Sequence, residues 1–311
     1  MRRREFLKNC LKYSAGLTTG ALVAGPDRTQ VPKRELGTTG EELSMVGFGG
    51  IIVMDETIKT AKERVAAAVD RGINYFDVAP TYGNAETRLG PALKPYRKDS
   101  FLACKTQKRK KKGARKELEQ SLQNLKTDYF DLYQLHAIRT EEDVKKAFGP
   151  DGAMETFLQA KKEGKVRYLG FSAHSEKAAL MAMDRYDFDT ILFPINFVCW
   201  HKGNFGKEVI QKAQKNNMGI LALKALAYSE IPAGQESDYD KCWYIPIEDD
   251  KIAELSLRFT LSQGVTAAVP PGEYSFFNPA ADIASNYAPL NNSEKKELLK
   301  AQKGALPLFK G

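Results

Sequence analysis

Residues 101–136 read FLACKTQKRKKKGARKELEQSLQNLKTDYFDLYQLH, and this stretch holds one complete strand–helix–strand unit. The apolar runs Phe101–Lys105 and Phe130–His136 are typical of buried strands, and Ala114–Leu125 between them has the apolar period of a helix. Two strands joined in this way lie parallel in one sheet, with a right-handed connection. The unit therefore predicts an α/β fold built on a parallel sheet.

The same alternation continues in both directions along the chain. Further strands are predicted at Ser44–Phe48, Asn74–Val78, Tyr168–Ser172, Thr190–Asn196, Gly219–Lys224 and Ala267–Pro270. Helical patterns lie at Thr57–Arg71, Met154–Glu163, Glu176–Asp184, Lys207–Asn216 and Asp249–Ser262. Eight such units close into a (β/α)8 TIM barrel. A doubly wound sheet is the alternative, but Gly47-Phe48-Gly49-Gly50 lacks the spacing of its glycine fingerprint.

Two further elements frame the predicted barrel. The segment Lys33–Ser44, with Gly37-Thr38-Thr39-Gly40 at its centre, is typical of an N-terminal hairpin. At the other end, Ser293–Lys303 predicts a C-terminal helix on the outside. The chain has 311 residues, and no composition shift or linker divides 31–311, so we expect one barrel domain over residues 31–311.

Residues 1–30 differ in composition from the rest. The run Arg3-Arg4-Glu5-Phe6-Leu7-Lys8 precedes a mildly apolar stretch, Tyr13–Ala24, and this order resembles a bacterial twin-arginine export signal. The stretch is shorter than the roughly 20 apolar residues that span a bilayer, so we expect no stable membrane span. We predict an export leader and a periplasmic protein, or a cytoplasmic one if the leader is not functional. A basic amphipathic helix of the mature protein is the alternative.

The formal charge of +8 does not indicate nucleic-acid binding. Apart from the leader, most of the excess lies in Lys108-Arg109-Lys110-Lys111-Lys112 with Arg115 and Lys116, a block without interleaved aromatic residues for stacking on bases. We interpret the block as a solvated loop and helix start.

Metal binding is not predicted either. The four cysteines, Cys10, Cys104, Cys199 and Cys242, have no paired spacing, which excludes a disulfide framework and a zinc or iron–sulfur site. A metal site in which His174 and His201 join His136 and Asp77 is the alternative. It is disfavoured because the chain contains no His-x-His pair.

Reactive side chains fall where the predicted strands end. Asp77, Lys105 and His136 close the second, third and fourth strands, and Tyr82 lies in the loop after Asp77. Active sites of such barrels lie at the carboxyl ends of the strands, so we expect these groups to meet. The ammonium of Lys105 should lower the pKa of Tyr82, with Asp77 as the partner of Lys105. His136 can donate a hydrogen bond to a carbonyl oxygen held near the phenol.

These residues carry a resemblance. Their spacing resembles that of the aldo-keto reductase family. The residues that match are Gly47-Phe48-Gly49, Asp77, Tyr82-Gly83, Glu86, Lys105 and His136. The segments 164–172 (GKVRYLGFS) and 269–272 (VPPG) are similar to the family's fifth-strand and eighth-strand segments. The likeness extends from about Lys33 to the C-terminus.

The resemblance implies an oxidoreductase whose barrel binds a nicotinamide dinucleotide across its top. Hydride would pass between this cofactor and a small carbonyl or alcohol substrate, with Tyr82 as general acid or base. Lys105 and Asp77 would tune the phenol, and His136 would orient the substrate. The alternative is a nucleotide-binding regulatory or accessory barrel protein with little turnover, although the complete set of four residues favours an enzyme.

The resemblance also suggests which residues hold the cofactor. Ser172 and Asn196 would bind the nicotinamide carboxamide, and Lys224 would stand near the cofactor. Family members that use NADP place Lys or Arg after strand eight, whereas residues 259–294 contain neither and have Pro271-Gly272-Glu273 there. Because an acidic side chain accepts from a ribose 2′-hydroxyl and repels a 2′-phosphate, we expect NAD(H) to be favoured over NADP(H).

The substrate is not specified by these motifs. It depends on long loops such as Tyr228–Ile247, whose conformation is not set by any period. The aromatic residues Trp200, Trp243 and Tyr244 are either walls of the substrate pocket or ordinary packing. Directly after the seventh strand, Leu223-Lys224-Ala225 offers no ring to stack on a nicotinamide.

Overall fold

A computed structural model describes residues 30–311. The predicted leader lies outside the described residues, apart from Gln30. The strands are β1 (Lys33–Glu35), β2 (Glu42–Ser44), β3 (Phe48–Gly49), β4 (Tyr75–Asp77), β5 (Phe101–Thr106), β6 (Phe130–Ile138), β7 (Val166–Ala173), β8 (Thr190–Pro194), β9 (Gly219–Leu223), β10 (Ala227–Ser229), β11 (Ile245–Pro246) and β12 (Ala267–Val269).

Helices connect most of these strands. They are α1 (Ile58–Asp70), α2 (Ala85–Leu93), α3 (Lys111–Leu125), α4 (Glu141–Phe148), α5 (Ala153–Lys162), α6 (Glu176–Met183), α7 (Phe197–His201), α8 (Lys207–Lys215), α9 (Asp250–Leu261), α10 (Tyr274–Ser285) and α11 (Asn292–Ala301). Short 3₁₀ helices occupy Gly50–Val53 and Lys94–Asp99. No helix in residues 30–311 has the length and apolarity that crossing a membrane requires.

The central sheet is parallel and closes into a barrel. Its eight strands follow the order β3-β4-β5-β6-β7-β8-β9-β12. A parallel bridge between Val46 and Ala268 joins the two ends, with Gly47 N donating to Ala268 O at 3.0 Å. The predicted (β/α)8 TIM barrel is confirmed.

The hairpin of β1 and β2 covers the amino ends of the strands. Its Leu36 and Leu43 are buried in the barrel interior with Tyr75, Phe101 and Leu132. Its backbone is held by hydrogen bonds from side chains that lie near the amino ends of barrel strands, such as Thr266 Oγ1 to Glu35 O at 2.9 Å. The hairpin therefore plugs the barrel interior at this end.

The predicted element positions hold with a few corrections. The single strand predicted over Ser44–Phe48 is wrong, because Ser44 still pairs with Lys33 in the hairpin and β3 begins at Phe48. The strand predicted over Thr190–Asn196 ends at Pro194, since Asn196 caps α7.

Four helices and the β10–β11 pair were not predicted. Two of these helices contain a proline, a residue that sequence patterns do not associate with a helix interior. They are α2 with Pro91 and α10 with Pro279. In α2, the neighbouring Gly90 is required because a Cβ there would lie 2.6 Å from Leu125 Cα. The N-terminal hairpin and the C-terminal helix, observed as α11, are confirmed.

Candidate active site

A cavity of about 370 Å³ opens at the carboxyl ends of the barrel strands. Its volume lies in the range of about 300 to 1,000 Å³ that is typical of small-molecule sites. The residues that sequence reasoning expected to meet there, Asp77, Tyr82, Lys105 and His136, all line it. Glu86 does not, because its carboxylate accepts from Asn124 Nδ2 at 2.8 Å, between α2 and α3.

A buried ion pair forms the floor of the site. Lys105 Nζ donates to Asp77 Oδ2, and both side chains are almost fully buried. The other oxygen of Asp77 accepts from Tyr75 Oη and Gln134 Nε2, each at 3.4 Å. These two residues were missed by sequence reasoning. Alternation along a strand could have found them, since each stands two residues before a predicted site residue and shares its face.

Burial and the ion pair together set the protonation states of Lys105 and Tyr82. Burial lowers the pKa of Lys105, but Asp77 and Tyr82 raise it by more, so its pKa lies above the ordinary value and the side chain is an ammonium. Burial raises the pKa of Tyr82, and Lys105 lowers it by less. The expected net lowering of the Tyr82 pKa is therefore wrong. The phenol stays protonated at neutral pH and can serve as a proton donor.

His136 presents a neutral imidazole to the same cavity. Its ring meets the Tyr82 ring edge-on, with the centroids 5.9 Å apart. Burial and the nearby ammonium of Lys105 lower the pKa of His136 to about 2. A neutral imidazole carries one N–H, so His136 can donate a hydrogen bond to a ligand oxygen without adding charge.

A bulge in β6 orients His136. The pairing of β6 with β7 shifts register between Leu135 and Ile138, and Ala137 has a φ of 52°, which L-residues rarely adopt. Arg109 stabilises this backbone by donating to the carbonyl oxygens of His136 and Ala137 at 2.8 and 3.1 Å. The prediction of a solvated basic block is therefore wrong for Arg109, although Lys108 and Lys111 are exposed.

The residues proposed to hold a carboxamide lie in different environments. Ser172 lines the cavity, and its Oγ accepts from Ala137 N at 2.7 Å. Asn196 is not on the cavity wall. Its Oδ1 accepts from Cys199 N at 2.8 Å, while its Nδ2 is buried and has no hydrogen-bond partner in the described part of the chain.

The segment after β12 borders the cavity in part. Pro271 and Gly272 line the wall, whereas Glu273 Oε1 accepts from Lys241 N at 2.9 Å. Lys241, which sequence reasoning missed, brings a cation to this wall from the loop after β10. Its Nζ lies 3.4 Å from Glu56 Oε1. The charge of Lys241 is therefore partly neutralised within the protein.

Lys224 lies in a cradle of aromatic rings. Its Nζ is 4.2 Å from the ring centroid of Tyr244 and 4.8 Å from that of Trp243. Burial lowers the pKa of Lys224 to about 8. Trp243 and Tyr244 both line the cavity, whereas Trp200 packs on Phe259 away from it. The loop after β10 thus supplies the aromatic rings that the sequence directly after β9 lacks.

The remaining histidines do not assemble with His136 as metal ligands. His174 lines the cavity, but His201 lies on α7 against the ring of Phe259. Across residues 30–311, no group of three or more His, Cys, Asp or Glu side chains is arranged to hold a metal ion.

Fold and site together define a TIM barrel with a phenol, an ammonium–carboxylate pair and a neutral imidazole at its carboxyl end. A profile of the aldo/keto reductase family matches residues 46–245, and the chain belongs to this family. Family membership and the oxidoreductases among the relatives of this chain support its assignment as an oxidoreductase. Members of the family use nicotinamide cofactors.

The chain is similar to several known proteins. It is 36% identical over 155 residues to the uncharacterized oxidoreductase YqkF of Bacillus subtilis, a match that spans 45% of this chain and 48% of YqkF. It is 24% identical over 293 residues to L-galactose dehydrogenase of Arabidopsis thaliana, spanning 83% and 88%. The structure of an aldo-keto reductase from Bacillus halodurans superposes with a TM-score of 0.69 at 24% identity, covering 89% and 98% of the two chains. This last likeness concerns the fold.

Proposed function

We propose that the protein transfers hydride between a nicotinamide dinucleotide and a carbonyl or alcohol substrate, with Tyr82 as general acid and base. One observation carries the proposal: the protonated phenol of Tyr82 lies beside the buried Lys105–Asp77 pair on the same cavity wall as neutral His136. A binding module has no need of such an arrangement, whereas it is well suited to transferring a proton to a carbonyl oxygen on which negative charge develops.

The residues around the cavity fit a nicotinamide dinucleotide. Ser172, near the end of β7, presents its hydroxyl at the cavity wall and suits a carboxamide. Asn196, which follows the neighbouring strand β8, is not on that wall, but its buried Nδ2 has no hydrogen-bond partner in residues 30–311 and would be free to bind one. At Gly272 a Cβ would lie 2.6 Å from Ile51 Cγ2, so the glycine lets the segment after β12 pack closely against Ile51, another residue that lines the cavity. When bound, the dinucleotide supplies or accepts the hydride.

The chain's own residues then handle the oxygen of the substrate. His136 donates a hydrogen bond to the carbonyl oxygen and holds it near the phenol. Tyr82 would transfer its proton to that oxygen as carbon receives the hydride, so that the C–H and O–H bonds of the alcohol form while the carbonyl π bond, the phenol O–H bond and the C–H bond of the hydride donor break. Lys105 stabilises the phenolate that remains, and Asp77 keeps Lys105 charged. Alcohol oxidation runs the same steps backwards.

The direction of the Tyr82 pKa shift predicts opposite pH profiles for the two reactions. Reduction needs the protonated phenol, so its kcat should stay level from about pH 6 to about pH 9 and fall only as pH passes through the raised pKa. Oxidation needs the phenolate and should rise about tenfold per pH unit below that pKa. Rates measured in both directions check this. A reduction rate that already falls near neutral pH would contradict it.

We further propose that Arg3-Arg4 direct export by the twin-arginine route and that NAD(H) stays bound. Free nicotinamide nucleotide is scarce outside the cytoplasm, so an exported enzyme would retain its cofactor and recycle it with alternate substrates. NAD(H) is favoured over NADP(H) because Glu273 stands after β12 and the charge of Lys241 is already shared with Glu56.

The nucleotide that copurifies with the protein tests both the retention of the cofactor and the preference for NAD(H). Protein purified without added nucleotide is denatured, and the supernatant is analysed by mass spectrometry. We expect NAD(H) in the supernatant, because slow release is what an exported enzyme would need. NADP(H) in its place would overturn the cofactor preference, and folded protein without nucleotide would overturn retention.

A further inference from the structure

The cavity carries more positive than negative charge. Asp77 is the only Asp or Glu among its described lining residues, and it is paired with Lys105. Two other lining cations, Arg139 and Lys224, have no ion-pair or side-chain hydrogen-bond partner anywhere in residues 30–311. Arg139 is exposed at the rim, whereas the side chain of Lys224 is partly buried, and an uncompensated buried charge is costly unless a ligand of opposite charge binds there.

A chain of contacts connects the two cations, through two residues that line the cavity and through Phe309, which does not. His174 N donates to Ile138 O at 2.8 Å, which places Arg139 and His174 side by side at the ends of β6 and β7. The His174 ring then contacts Phe309 with 5.3 Å between ring centroids. Phe309 contacts Trp243 at 6.2 Å, and Lys224 lies over Trp243.

Lys224 is held at this wall by its backbone as well as by the rings. Its φ is 70°, a left-handed conformation that is uncommon for a residue with a side chain. Aromatic faces stabilise an ammonium without neutralising it. The arrangement therefore keeps a positive charge available to a ligand in the cavity.

His174 supplies a donor between the two cations. Burial, Lys224 and Arg139 lower the pKa of His174 to about 4, so its imidazole is neutral. A neutral imidazole beside two cations donates a hydrogen bond to an anion and cannot attract a cation as a carboxylate would. The three groups together have the donor set for a carboxylate.

We propose that Arg139, His174 and Lys224 form a subsite for a carboxylate group on the carbonyl substrate, so that the substrates are oxo acids and the corresponding hydroxy acids. The subsite rests on the proposed function, because the substrate is the molecule whose carbonyl meets Tyr82 and His136. A substrate carboxylate is favoured over a cofactor phosphate because Arg139 follows His136 on the same strand end.

Matched acids and amides test the subsite. The probes are glyoxylate, succinate semialdehyde and 4-formylbenzoate, each compared with its primary amide, so that three spacings between carbonyl and charge are covered. We expect kcat/KM for at least one acid to exceed that of its amide by about tenfold or more, the scale of a charge-assisted hydrogen bond. Equal values within every pair would overturn the proposal.

Variants identify the residues responsible. Lys224→Met and Arg139→Gln should each lower the acid-to-amide ratio by about tenfold, mainly through KM for the acid. Arg139 is exposed, so its variant should fold even if Lys224→Met does not. Lys215→Met, which removes an exposed lysine at the end of α8, is the control and should leave the ratio unchanged.

Two further measurements separate the possible failures. If the variants weaken NADH binding, measured by fluorescence titration, and slow acid and amide equally, the cations serve the cofactor phosphates and the proposal is wrong.

If no aldehyde is reduced at all, the proposed function fails. The subsite is then decided by calorimetry with benzoate and benzamide. Preferential binding of benzoate that is lost in Arg139→Gln supports the subsite, and equal binding overturns it.

Discussion

Replacing Tyr82 by phenylalanine is expected to lower kcat for carbonyl reduction by about 10²- to 10⁴-fold, the range for loss of a general acid. The change removes only the hydroxyl. The ring that meets His136 edge-on is kept, so dinucleotide affinity and the free energy of unfolding should stay the same. Steady-state kinetics, fluorescence titration of nucleotide-free protein with NADH, and urea unfolding measure these three quantities.

Tyr133→Phe is the matched control for this variant. Tyr133 is also a barrel tyrosine, but it is buried on the outer side of β6 against Phe130 and Phe157. Its hydroxyl has no hydrogen-bond partner among residues 30–311. Losing it should leave kcat unchanged. Equal activity of Tyr82→Phe and Tyr133→Phe would mean that the phenol of Tyr82 is not the proton donor.

Asp131→Ala is expected to lower the free energy of unfolding by about 3 to 5 kcal/mol, the cost of breaking a buried ion pair from one side. Asp131 is buried near the amino end of β6. It accepts from Arg97 Nη1 at 2.9 Å, from Leu102 N at 2.9 Å and from Arg167 Nη1 at 2.8 Å. Without the carboxylate, the guanidinium of Arg97 stays mostly buried and loses its anionic partner.

Asp131 lies at the opposite end of the barrel from the cavity, so the kcat of the folded protein should not change. Urea unfolding followed by circular dichroism gives the free energy, and kinetics well below the unfolding midpoint give kcat. Asp128→Ala, which removes an exposed carboxylate three residues earlier, should stay within about 0.5 kcal/mol of the wild type. An unchanged midpoint for Asp131→Ala would show that the buried pair contributes no net stability.

The barrel and the meeting of the principal site residues could be predicted because both depend on periodicity. Alternating strands and helices specify a parallel barrel, and the carboxyl ends of its strands converge. Asp77, Lys105 and His136 could therefore be assigned to one cavity from their positions alone. The same argument assigns Lys224, which follows β9, to this cavity.

Features set by tertiary packing could not be predicted. The pKa of Tyr82 depends on whether burial or Lys105 dominates, and composition does not decide that balance. The aromatic cradle of Lys224 comes from an aperiodic loop. Arg109 looks like its solvated neighbours in the sequence, yet its guanidinium binds the bulged backbone at His136 because the bulge frees carbonyl oxygens there. Asn196 could be placed after a strand, but its capping of α7 could not.

Deuterium transfer tests the central claim most directly. The enzyme is freed of its retained nucleotide, reloaded with NADH deuterated at both C4 positions and incubated with 4-formylbenzoate, and the alcohol is analysed by mass spectrometry. We predict one deuterium on the carbinol carbon, formed at a rate that falls about 10²- to 10⁴-fold in Tyr82→Phe and not in Tyr133→Phe. If bound NADH yields no deuterated alcohol from any of the three oxo acids or their amides, the hydride-transfer account is contradicted. The chain would then be a nucleotide-binding barrel without turnover.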